Sequence, residues 1–115
     1  MTASKGGSLT ASKAPEGMDV WAVGPNDFGG VVGTRYSYVC TANGDDTFAV
    51  WGTGPFTDDS SICAAAVFAG LITSAKGGTV SLEVQNGSST YGSGTANGVT
   101  TNDYGSWPTQ FVFVK

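Results

Sequence analysis

The stretch DDSSICAAAV, residues 58–67, decides the fold. Two carboxylates and two hydroxyls run straight into small apolar residues with one cysteine among them. Such a boundary is either a reactive cluster or the start of a buried helix. A helix start accounts for each residue type. Thr57, Asp58 or Asp59 offers a short side-chain oxygen to the unpaired N–H groups of a first turn. Acids there also suit the positive end of the helix dipole. The pattern predicts a helix from about 59 to 69. Gly70 fits the left-handed position just past its end, with Leu71 as a hydrophobic cap. Apolar residues occupy every face, so the helix is expected to be buried all round. Ala64, Ala65, Ala66 and Ala69 would let strands approach it closely.

Outside this segment the chain reads as short strands. DVWAV (19–23) alternates weakly, and GVVGTRYSYVC (30–40) is β-branched and aromatic. TFAVW (47–51) follows the turn signal NGDD. In TVSLEV (79–84), Val80, Leu82 and Val84 share one face, with Ser81 and Glu83 on the other. QNGSS (85–89) reads as a turn. TQFVFVK (109–115) is apolar on both faces and is expected to be well buried. The polar segment 91–108 is expected to cross over as loops. Residues 1–17, where TASK occurs twice, read as a flexible lead-in. Residues 18–115 read as one domain. The fold class is α+β: a short central helix wrapped by antiparallel strands.

Composition supports a folded β-rich domain. The chain has 115 residues, room for one domain. Charged residues make up 12%, against a usual share of about a quarter. Hydrophobic residues make up 40% and Gly 18 positions, so core and turns are both supplied. The net charge is −4, and no Lys or Arg occurs from Tyr36 to Ala75. There is no basic patch to neutralise a row of phosphates, so nucleic acid is not an expected partner. Attraction to anionic lipid is disfavoured for the same reason. The longest apolar run, Ile62 to Ile72, is too short for a transmembrane segment. MTASKGGSLTASK lacks the apolar core of a secretory leader.

The chemistry that can be excluded is extensive. The chain contains no histidine. The commonest general base, the usual Ser and Cys triads and the commonest metal ligand are therefore missing. No metal site and no cofactor is expected, since two cysteines make no standard zinc site and no phosphate-binding GxxxxGK[ST] occurs. Gly52-Thr53-Gly54 and Gly92-Ser93-Gly94 read as turns. The pairs Asp45-Asp46 and Asp58-Asp59 have the residue type for carboxylate hydrolysis or Ca²⁺, but a hairpin turn and helix capping explain them more simply. Tyr91, Tyr104 and Trp107 lie in the polar segment. Such aromatics either stack on a sugar or partner or fold back over the core. Asn86-Gly87-Ser88 matches a glycosylation sequon. Cys40 and Cys63 are compatible with one disulfide or with two buried thiols.

WGTGPFTDDSSICAAAVFAGLI (51–72) resembles the signature of the LCCL domain, a module of the factor C and cochlin type. The likeness continues through Gly77-Gly78-Thr79-Val80, Tyr91-Gly92-Ser93, Asn97-Gly98-Val99, Tyr104-Gly105-Ser106-Trp107 and Phe111-Val112-Phe113. It spans roughly Tyr38 to Val114. The resemblance implies a central helix surrounded by strands and a disulfide between Cys63 and Cys40. It further implies a non-catalytic module in a secreted, periplasmic or cell-surface setting, binding a surface glycan, lipopolysaccharide or a protein partner. The alternative within that reading is a spacer or interaction domain without a small ligand. A paired-Asp hydrolase is the remaining competitor. The candidate ligand-binding residues are Tyr91, Asn97, Tyr104 and Trp107. Two features set the chain apart: it lacks the second cysteine pair of many relatives, and Phe68 stands where the family helix often carries histidine.

Overall fold

The computed structural model of the protein describes residues 9–114. The repeat at 2–5 lies outside the described residues. The elements are β1 (Thr10–Ala11), β2 (Arg35–Cys40), β3 (Phe56–Thr57), α1 (Ile62–Phe68), β4 (Gly78–Asn86), β5 (Thr95–Ala96), β6 (Val99–Thr100) and β7 (Thr109–Val114). Five strands form one sheet in the order β1-β2-β4-β7-β3, and β5 pairs with β6 in a separate hairpin. The pairs β2–β4, β4–β7 and β3–β7 are antiparallel. β1 runs parallel to β2, which departs from the all-antiparallel expectation. It also places residues 10 and 11, read as lead-in, in the sheet.

The alternation read in β4 holds. Val80, Leu82 and Val84 are buried, while Ser81 and Glu83 are half-buried on the other face. Their register partners on β2 and β7 continue the inner face: Leu82 opposes Tyr36 and Phe113, and Val84 opposes Phe111. β7 is less buried than its two apolar faces suggest. Phe111 is sealed, but Val112, Phe113 and Val114 are half-buried.

α1 packs into the core with these residues. Ile62 through Val67 are all buried, as a helix apolar on every face must be. The disulfide between Cys40 and Cys63 ties the end of β2 to the first turn of α1. Both cysteines are buried. The C-terminus closes as expected. Gly70 is left-handed at φ 80°. Its N–H donates to Val67 O, and Leu71 N–H donates to Ala66 O, both at 2.9 Å. This is the Schellman pattern that satisfies the last carbonyls. Leu71 itself stands 54% exposed. Phe68 packs edge-on against Phe56, centroids 6.2 Å apart.

Three local expectations change. The helix begins at Ile62, not near 59, and its N-cap is Ser61 instead of Thr57, Asp58 or Asp59. Ser61 Oγ accepts from Ala64 N–H at 3.0 Å and donates to Trp21 O at 2.7 Å. Thr57 is held in β3, paired to Gln110, so the chain is still extended there and turns before the helix starts. Residues 20–22 form a 3-10 turn, not a strand; Asp19 caps it by accepting from Trp21 N–H at 2.9 Å. Residues 47–50 are irregular, and Trp51 makes only an isolated bridge, parallel to Asn102.

The segment 91–108 is more ordered than a crossover of loops. Tyr91 and Tyr104 form a bridge, exchanging N–H···O bonds of 2.8 and 3.0 Å. The β5–β6 hairpin turns at Asn97-Gly98, both with positive φ (53° and 82°), which is what Asn-Gly supplies to a two-residue turn.

Candidate functional site

An aromatic cleft opens where residues 51–59 and 104–107 meet. Trp51, Tyr104 and Trp107 line it together with Thr57 and Asp59, around a volume of about 260 Å³. Tyr104 and Trp107 meet edge-on, with centroids 5.5 Å apart and planes at 80°. Tyr104 is 48% exposed, so its ring is available at the surface.

Each wall is fixed by backbone pairing. Trp51 bridges Asn102, with Gly52 N–H donating to Asn102 O at 3.0 Å and Asn102 N–H to Val50 O at 2.8 Å. Tyr104 is held by its bridge to Tyr91. Trp107 N–H donates to Ser88 O at 3.2 Å. Its indole Nε1–H donates to Asp58 Oδ1 at 2.8 Å, which sets the orientation of the ring.

Polar groups at the base form a connected chain. Thr57 Oγ1 donates to Asp59 Oδ1 at 2.6 Å. Thr57 and Ser60 hydroxyls lie 2.8 Å apart, both fully buried. With the Thr57 proton committed to Asp59, the Ser60 hydroxyl donates to Thr57. It also accepts from Trp51 N–H at 2.9 Å. Asp59 is therefore tied to the backbone of Trp51 through two buried hydroxyls. Burial raises Asp58 above the ordinary carboxylate range; the Trp107 hydrogen bond opposes this, and the neighbouring Asp59 charge adds to it. Among the described residues no Lys or Arg lines the cleft.

Two of the four candidate binding residues, Tyr104 and Trp107, come together here. Tyr91 is buried instead. Its hydroxyl donates to Gln110 Oε1 at 2.9 Å and accepts from Ser88 N–H at 2.9 Å, the packing alternative for a loop aromatic. Asn97 is not among the lining residues. Its Nδ2 donates to Phe68 O at 2.9 Å, pinning the β5–β6 hairpin to the end of α1. Thr57, Asp58 and Asp59, read as caps, instead build the base of the cleft or brace its rim. Trp51 was not singled out by sequence, because it reads as the last residue of a strand.

Other acids remain outside this arrangement. Asp45 accepts from the hydroxyl and N–H of Thr47 in an exposed turn; those bonds, the hydroxyl first, hold it below the ordinary carboxylate range. No group of three or more His, Cys, Asp or Glu that could hold a metal occurs among the described residues. No helix among them is long and apolar enough to cross a membrane.

The family model of the LCCL domain matches residues 17–111. The chain belongs to the LCCL domain family. That family is one of binding modules. The match begins after β1, so the parallel strand lies outside the matched region. The Cys40–Cys63 bridge implied by the resemblance is formed. A comparison with curated proteins finds no match.

Proposed function

We propose that this LCCL domain is a non-catalytic module of an extracellular or cell-surface protein, and that it seats a glycan in the cleft of Trp51, Tyr104 and Trp107. The observation that carries the reading is the convergence of three aromatic rings beside fixed polar acceptors. A sugar ring has an apolar face and a hydroxylated edge. Aromatic rings take the first, and a carboxylate such as that of Asp59 takes the second. The cleft is slightly smaller than a typical drug-sized pocket of roughly 300 Å³ or more, a size that suits one sugar ring. Its acidic base is a poor seat for the phosphates of lipopolysaccharide, which ranks that ligand below an unphosphorylated glycan. The buried disulfide supports an oxidising compartment.

The test is a glycan array followed by titration calorimetry on the hits, with wild type and Trp107→Ala. The expected result is saturable binding to at least one oligosaccharide, weakened at least about tenfold in the variant; loss of one stacking aromatic from a binding hot spot reaches that size. A domain that binds no glycan, or a Trp107→Ala variant with unchanged affinity and unchanged circular dichroism, overturns the assignment.

A further inference from the structure

We infer that the cleft selects a glycan carrying a free, protonated amine over its neutral or N-acetylated counterpart. The inference rests on the glycan reading above and adds the charge of the preferred ligand.

Three observations converge on it. The first is the pairing of aromatic walls with adjacent carboxylates. An ammonium over the face of Trp or Tyr is attracted by the ring quadrupole, and a carboxylate beside it adds a charge-assisted hydrogen bond. Trp51, Tyr104 and Trp107 supply the faces, while Asp59 lines the cleft and Asp58 braces Trp107. The second is that, among the described residues, no cation is paired with either carboxylate. The ion pair recorded among the described residues is Arg35–Glu83, on β2 and β4. Both acids have capacity left over: Oδ1 of Asp58 takes the Trp107 N–H and Oδ1 of Asp59 takes the Thr57 hydroxyl, and an ionised carboxylate has about four acceptor positions. The third is rigidity. The hydroxyl chain Thr57–Ser60 and the Trp107 indole hold both carboxylates in place before any ligand arrives, so little ordering cost falls on binding.

The same observations argue against two other cations. A divalent metal lacks a third ligating side chain among the described residues. A lysine side chain would use the charge but leave most of the aromatic wall uncovered, whereas an amino sugar uses both.

Calorimetry with the whole chain tests this against four probes: a β-1,4-linked glucosamine hexamer, the N-acetylglucosamine hexamer, the glucose hexamer and a lysine hexapeptide. The amine-bearing sugar is expected to bind about tenfold tighter than either other sugar, the scale of one desolvated charge contact. Asp59→Asn is expected to bring it to within about threefold of the neutral sugars, whose own affinities fall by less than that of the amine. Asp58→Asn is the second variant; its amide oxygen still accepts the Trp107 N–H, so the ring stays in place, and part of the preference is lost. Neutral sugars that bind as tightly as the amine overturn this inference and leave the glycan reading standing. Equal binding of the lysine peptide overturns it by reducing the effect to charge alone. Binding of no sugar overturns the glycan reading and the inference together.

Discussion

α1 and the segment from Asn102 to Trp107 are held in opposite ways. α1 is enclosed on every side, bolted to β2 by a disulfide and capped at both ends by its own chain. The 102–107 segment lies at the surface and is held by a few hydrogen bonds: those of Asn102 to Val50 and Gly52, the bridge to Tyr91, the contact to Ser88 and the Trp107–Asp58 bond. The first region is part of the buried core. The second displays rings that nothing in the fold requires to be at the surface. Substitutions should therefore separate cleanly, costing stability in one region and ligand binding in the other.

The largest expected effect is on the helix side. Replacing both Cys40 and Cys63 with Ala is expected to lower stability by about 3.5 kcal/mol, the chain-entropy value for a loop of this length. Urea unfolding followed by fluorescence measures it. A loss below about 1 kcal/mol would show that burial alone fixes α1 and that the disulfide is secondary. Ser61→Ala comes next. It removes the N-cap and leaves Trp21 O without its donor, so a loss of about 1–2 kcal/mol is expected. Trp107→Ala, on the cleft side, is expected to cost less than about 1 kcal/mol in the same assay, since it removes one half-exposed hydrogen bond. If its cost matched that of Ser61→Ala, the contrast between the two regions would fail.

The smallest effect sharpens the contrast through pH. Burial keeps Asp58 above the ordinary range, so the folded protein holds a proton there more tightly than the unfolded chain does. That contribution favours folding at acid pH and is lost as pH rises through the folded value of Asp58. Asp58→Asn is expected to flatten the thermal-melt profile in the window just above the ordinary Asp value of about 3.9. Asp45, held low by Thr47, acts in the opposite sense and below that value, so the two do not overlap. An unchanged profile would mean that the Asp58 carboxylate is better hydrated at the cleft than its burial implies.

The sequence made the helix side legible and the cleft side only partly so. Periodicity identified β4, because Val80, Leu82 and Val84 had to share a buried face. Gly70 marked the helix end, because a left-handed residue was needed there. The disulfide came from family resemblance alone; neither cysteine's surroundings distinguished a bridge from buried thiols. The start of α1 was misplaced because four consecutive residues, Thr57 to Ser60, all have capping side chains. Ser61, directly before the first apolar helical residue, was the better signal. Short apolar runs misled elsewhere: 19–23 and 47–51 have strand composition, but one is a capped 3-10 turn and the other an irregular approach to the core. Trp51 was missed because its place in the cleft depends on pairing with Asn102, a contact across 51 residues that no local pattern encodes.

The tryptophans give the molecule a built-in optical assay. Trp21 is sealed in the core with its indole N–H on Thr41 O, while Trp51 and Trp107 both line the cleft. The chain has no fourth. Emission from a dry indole and from two solvent-facing ones separates by wavelength, and an added aqueous quencher reaches only the latter pair. A single unlabelled sample can thus report loss of the folded core and occupancy of the cleft as two distinct spectral changes.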